Sequence, residues 1–152
     1  MKKTARRQKS FLQHAEQLCK QRGVRLTQQR RRVLEIINNH NQPIGAYDIL
    51  QQLDASEGAI APPTVYRALD FLLQQGLIHR LQTLHAFVGC EHPDHHHTGQ
   101  FLICTECGQV EELEDSAVNS SLHDAAEAIG FVEEQRVVEV TGRCASCNTE
   151  AS

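Results

Sequence analysis

The chain has 152 residues, with 40% hydrophobic and 22% charged residues, ordinary proportions for a globular protein. That length suits one large domain or two small ones. No apolar run nears the ~20 residues of a membrane span, and composition argues against collagen, coiled-coil, mucin-like and disordered classes. The formal charge of −4 conceals an asymmetry: residues 1–80 carry 13 Lys and Arg against 6 Asp and Glu, a net +7, whereas residues 81–152 carry 2 against 13, a net −11. A basic half reads as a polyanion-binding module, nucleic acid rather than a membrane surface, and an acidic half as one that stays off the polyanion.

The basic start, Met1 to Arg7, is not followed by an apolar segment of signal-peptide type, so a cytoplasmic protein is expected. Residues 10–22 predict a first helix, with Phe11, Leu12, Ala15, Leu18 and Cys19 on one stripe and Gly23 as its stop. Cys19 lies on that stripe and reads as core. Thr27 is a good N-cap for a second helix over 28–39, with Val33, Leu34, Ile36 and Ile37 inward and Arg30, Arg31 and Arg32 largely outward. After Pro43, residues 45–54 predict a short third helix, and 54–61 a loop. Pro62-Pro63 opens a fourth helix over about 63–75, which buries Val65, Leu69, Leu72 and Leu73, shows Tyr66, Arg67 and Asp70, and stops at Gly76. Residues 77–81 and 86–90 alternate like the strands of a hairpin.

Short helices followed by a hairpin, all in the basic half, predict a winged helix-turn-helix, whose last helix presents its N-terminal residues to base edges in the DNA major groove. Arg67, in the first turns of that helix, suits a bidentate contact to guanine O6 and N7. The domain boundaries expected are 1–90 for the winged helix, 91–99 for a polar hinge and 100–152 for a small α/β domain, giving an α+β chain. In that second domain Phe101–Cys104 and Val110–Leu113 read as strands. Residues 116–129 read as a helix with Val118, Leu122, Ala125 and Ile129 inward, and 131–141 as one or two further strands.

Six cysteines supply the chemistry. With no secretory signal in view, a disulfide framework is not expected. Cys104-Thr-Glu-Cys107 and Cys144-Ala-Ser-Cys147 have the two-residue spacing that lets paired thiolates reach one tetrahedral metal, and two pairs close the shell. A closed shell of four thiolates has no open position for water, so it is structural rather than catalytic. A redox Cys-x-x-Cys normally opens a helix after a strand, whereas here Gly108 follows the first pair as in a knuckle turn. His92, His95, His96 and His97 could all reach a metal, and spacing does not choose among them; His14, His40, His85 and His123 read as surface residues.

Pro62-Pro-Thr-Val-Tyr-Arg-Ala-Leu-Asp-Phe-Leu, Arg25-Leu-Thr-Gln-Gln-Arg30 and the two Cys-x-x-Cys pairs together resemble the ferric uptake regulator superfamily, and within it the zinc uptake regulator branch. The resemblance runs from about residue 11 to 147. It implies a bacterial homodimeric repressor that binds inverted-repeat, AT-rich double-stranded operator DNA when loaded with its metal. It has an N-terminal winged helix and a C-terminal α/β dimerisation domain, and no enzymatic activity or small-molecule substrate. It further implies DNA contacts from Tyr47, Thr64, Tyr66 and Arg67. Structural zinc is implied at Cys104, Cys107, Cys144 and Cys147, and a regulatory zinc at His79, Cys90, His97 and Glu112 between the domains, two sites per subunit. A hairpin turning around Leu84 and His85 would set His79 opposite Cys90, close enough to share one ion, and a thiolate in the set favours zinc over iron or manganese.

Departures narrow the reading. Iron and peroxide sensors of the family carry a His-His-Asp-His run before Leu-Ile-Cys, where this chain has His97-Thr-Gly-Gln-Phe-Leu-Ile-Cys104. Arg136 stands where they supply a further histidine, which argues against an additional metal site of that type. Gln28 replaces a common proline. Two alternatives remain: a family member sensing iron, manganese, nickel or peroxide, and a zinc hydrolase built on the histidine cluster, which would need a His-Glu-x-x-His spacing that the chain lacks.

Overall fold

The computed structural model describes residues 5–94 and 98–149. The chain divides into two compact units, the first ending at residue 95 and the second starting at 96.

The first unit is a winged helix. Helix α1 (Ala5–Gln21) begins five residues earlier than the apolar stripe predicts, because Ala5 to Gln8 are good helix formers that need no buried face to extend it. Helix α2 (Gln28–Asn39) starts where Thr27 accepts from the Arg30 backbone N–H at 3.3 Å. Helix α3 (Ala46–Glu57) runs three residues past its expected end into the segment read as loop. Asp54 to Glu57 tolerate the helix, and Gly58, at φ 84°, is its true stop. Helix α4 (Pro62–Gln74) has proline in its first turn, where no N–H is needed. It ends in a double turn: Gly76, at φ 66°, donates to Leu73 and Leu77 donates to Leu72. That turn drives Leu77 into the core and starts the wing.

The wing pairs β1 (Ile78–Leu81) with β2 (Ala86–Gly89), antiparallel. Here one sequence expectation is corrected. His79 faces Val88, and Cys90 donates its N–H to Leu77, so His79 and Cys90 are not directly opposed. Gln82 to His85 form the turn, with His85 at φ 48°, which centres the hairpin one residue earlier than expected. All four helices and the wing close on one core in which Val33, Leu34, Ile49, Leu53, Leu69 and Leu72 are essentially fully buried. At ~1.5–3 kcal/mol for each large apolar side chain buried, this core is the main source of the unit's stability.

The second unit is a three-stranded sheet with one helix. Strand β3 (Gln100–Cys104) is central, with β4 (Val110–Leu113) antiparallel on one side and β5 (Val138–Gly142) parallel on the other. The parallel return needs a crossover, and helix α5 (Ser116–Ala128), capped by Asp115, supplies it. Residues 131–137 form no strand, so of the one or two strands expected over 131–141 the chain makes one, β5. The inward face expected for α5 is also corrected: none of its residues is buried, and Val118, Leu122, Ala125 and Ile129 are exposed. The stripe is real, but nothing among the described residues of this unit covers it.

Candidate metal centre and nucleic-acid interface

Four thiols gather at one end of the second unit's sheet, where the parallel strands β3 and β5 both finish. Cys104 ends β3, and Gly108, at φ 74°, turns the chain so that its N–H reaches the Cys104 carbonyl at 3.0 Å. Beyond β5 a second knuckle forms, with Cys147 and Asn148 both donating to the Cys144 carbonyl. Thr105 binds the Gly142 carbonyl through its N–H at 2.8 Å and its hydroxyl at 3.1 Å, fixing one knuckle to the strand that carries the other. All four sulfurs lie within 4.8 Å of one another. Cys107 and Cys144 are 3.8 Å apart, far longer than a disulfide and equal to the edge of a tetrahedron with bonds of ~2.3 Å, which is about 3.8 Å.

The thiol chemistry fits a metal. Backbone N–H groups of Cys107 and Cys144 pull the Cys104 thiol down to about 6, and the Cys144 N–H lies 3.3 Å from its sulfur. Sharing a proton with the Cys144 and Cys107 sulfurs pushes Cys147 up to about 12, and Cys107 is raised as well. One sulfur is thus held as thiolate while its neighbours cling to protons, the frustration that a divalent cation relieves.

In the first unit, His79 and Cys90 bring a ring nitrogen and a sulfur within 4.8 Å despite their diagonal register. Diagonal neighbours share a face and lie within reach of long side chains. Cys90 is buried, and Nε2 of His79 is shut off from solvent. In the second unit Glu112 pairs with Phe101 and is half-buried, whereas Glu111 pairs with Leu102 and is exposed on the other face. His97 lies outside the described residues, as do His95 and His96.

The residues expected to meet DNA sit on α3 and α4. Tyr47 and Tyr66 are 70% and 56% exposed. Tyr47 accepts a hydrogen bond from Gln51. Arg67 is exposed and makes no hydrogen bond or ion pair among the described residues, and Thr64 is half-buried in the first turn of α4. The three arginines of α2 behave differently from the sequence reading. Arg30 and Arg32 are half-buried, and all three are engaged: Arg30 stacks 3.8 Å over Phe71 and donates to the Arg25 carbonyl, Arg31 pairs with Glu16, and Arg32 with Glu35 and Glu57. Helical periodicity shows which face a residue occupies, not that long side chains fold back onto neighbouring elements.

Arg136 is likewise consumed internally. Its guanidinium pairs with Glu133 and donates to the Asn119 carbonyl at 3.0 Å, holding Glu133 below the usual carboxylate range. Glu133 also faces His123 at 3.5 Å, so a cation already occupies this corner of the unit.

Residues 21–141 match the family model described as the ferric uptake regulator family. The zinc uptake regulation protein of Escherichia coli (strain K12) is 42% identical over 138 residues, covering 90% of this chain and 81% of that protein. A solved zinc uptake regulator complexed with zinc and DNA superposes with a TM-score of 0.90 at 41% identity, covering 99% of this chain and all of that one. The crystal structure of holo XcZur gives a TM-score of 0.85 at 44% identity over 91% of this chain and 96% of that one. This family is one of regulators rather than enzymes, and the chain belongs to it: it is a member of the ferric uptake regulator family.

Proposed function

We propose that the chain is a zinc-responsive transcriptional repressor of the cytoplasm. It binds inverted-repeat operator DNA as a homodimer when its regulatory zinc site is filled, and controls zinc uptake genes. The reading is carried by the thiol of Cys90 beside the solvent-shielded imidazole of His79. A sulfur and a nitrogen donor select zinc over the harder iron and manganese ions. It is supported by the likeness to a zinc uptake regulation protein and to a structure holding zinc and DNA.

In this reading zinc takes two sites per subunit. Cys104, Cys107, Cys144 and Cys147 hold the structural ion; His79, Cys90, His97 and Glu112 hold the regulatory one. Bound zinc supplies a cross-link and no reaction chemistry. The chain's own residues do the recognition: Arg67, with Thr64 and Tyr66 beside it on α4, reads base edges, and Tyr47 on α3 flanks them. Filling the regulatory set selects arrangements in which a dimer's two α4 helices meet grooves one turn apart, about 34–36 Å. The uncovered stripe of α5 supports the homodimer.

The test uses an AT-rich duplex selected from a random pool, titrated at buffered free zinc. The wild type should gain affinity with zinc. Cys90→Ser should keep its dimer and four-cysteine zinc but lose that gain, and Arg67→Ala should lose roughly 1–3 kcal/mol on the selected duplex and much less on random DNA. A Cys90→Ser protein that responds at the wild-type zinc concentration removes Cys90 from the site. A gain driven by iron or manganese instead replaces zinc in the reading.

A further inference from the structure

Arg22 stands just past the C-terminus of α1. Its guanidinium bridges two backbone carbonyls that are far apart in sequence. One N–H group donates to Gln75 at 2.6 Å, the residue that caps α4, and another to Pro93 at 2.9 Å, three residues beyond Cys90. Pro93 is buried. A second tie runs alongside: His14 of α1 lies 2.6 Å from the Asp94 carboxylate. The last carbonyls of a helix have no intrahelical donor, and a cation there also suits the helix dipole. Arg22 therefore closes the end of α4 and holds the segment leaving Cys90 with one rigid fork. A planar guanidinium does this with less loss of freedom than a flexible ammonium.

We propose that Arg22 is a positioning residue for the zinc response: it couples the segment that follows Cys90 to the helix that reads DNA. This rests on the proposed function. With Cys90 held as a ligand, the backbone leading to Pro93 would be restrained, and Arg22 would pass that restraint to the C-terminal end of α4. His14 and Asp94 keep the same segment seated on α1. Without the bridge the segment and the helix adjust separately, and filling the metal site no longer biases the helix.

The experiment measures affinity for the selected duplex with zinc-free regulatory sites and with saturating zinc, for wild type, Arg22→Gln and Asp94→Asn, with zinc content and dimer mass determined alongside. Couplings between sites typically amount to about 5- to 150-fold. The zinc-induced gain should shrink roughly tenfold in Arg22→Gln and about threefold in Asp94→Asn, with zinc content and dimer retained. Loss of a charge or loosening of α1 would instead weaken both states by the same factor, and that outcome overturns the proposal. Should Arg22→Gln fail to fold, a wild-type gain in Asp94→Asn overturns it equally. A wild type whose DNA affinity ignores zinc overturns the functional reading, and the bridge with it.

Discussion

The two units are held together on different terms. The first closes four helices and a wing around Leu34, Ile49, Leu69 and Leu77, each essentially without exposed surface. The second buries, among its described residues, only Phe101, Ile103, Cys104 and the polar Gln100. At ~1.5–3 kcal/mol each, two large buried apolar side chains make a thin core. A unit so poor in core needs other sources of stability, and the proposed metal cross-link at its four thiols and a partner on the apolar surface it leaves bare would supply them.

Removing the metal should therefore separate the units most sharply. Structural zinc contributes on the order of 10 kcal/mol to the folding of small zinc domains. Cys107→Ser, or a strong chelator, should unfold the second unit while the first keeps its own cooperative transition. Differential scanning calorimetry with metal analysis would show one transition lost and one retained. The converse change is Leu69→Ala, which opens a cavity in the first unit and should cost about 2–5 kcal/mol there, with zinc content unchanged. Loss of both transitions in either variant would mean that the units fold as one and would dissolve the contrast.

The same contrast explains what is readable in the sequence. Elements of the first unit announce themselves locally: Thr27 as a cap, Pro62 at a first turn, Gly76 at a stop, and stripes whose partner is the chain itself. The four thiols are legible because their spacing is the chemistry. The stripe of α5 is legible as a stripe, but periodicity says only that some surface covers it, not that the surface lies in the same unit. The wing register is not legible, because Gln82 to His85 contain no Asn-Gly pair to pin the turn. Nor is the Arg22 bridge, whose partners lie 53 and 71 residues away.

The bare surface gives the next test. Leu122 is 42% exposed on α5 and Ile129 80% exposed just beyond it, so neither contributes much to the folding of its own unit. Burial of one such side chain in a dimer is worth about 1.5–3 kcal/mol, and a carboxylate placed there opposes it. Leu122→Asp should therefore leave the melting of the first unit unmoved and weaken self-association at least tenfold by sedimentation equilibrium, since about 1.4 kcal/mol is a factor of ten. Unchanged association would place the dimer contact elsewhere.

The smallest effect concerns protons, and it asks whether the second unit stands at all without metal. Zinc binds thiolates, so loading four cysteines releases whatever protons they carry. In the folded knuckles Cys104 sits at about 6 against an ordinary 9.0, so that between those values it has already lost its proton. The contribution of this one thiol to the folded metal-free unit is complete above pH 9 and fades as the pH falls through 6, whereas that of the raised Cys147 is complete below pH 9 and fades as the pH rises toward 12. An unfolded chain has no such thiolate, and at pH 7.5 its four cysteines are largely protonated. Calorimetric zinc titration in two buffers of different ionisation enthalpy counts the protons, and a Cys90→Ser background confines the count to the four-cysteine site. A unit that depends on zinc for its fold should release about four protons per ion at pH 7.5. Preformed knuckles would release one fewer there, and at pH 5.5, below the value for Cys104, the two cases would converge. One proton fewer at pH 7.5 would thus mean that the thin core of the second unit suffices by itself, and that its metal reinforces a structure already made.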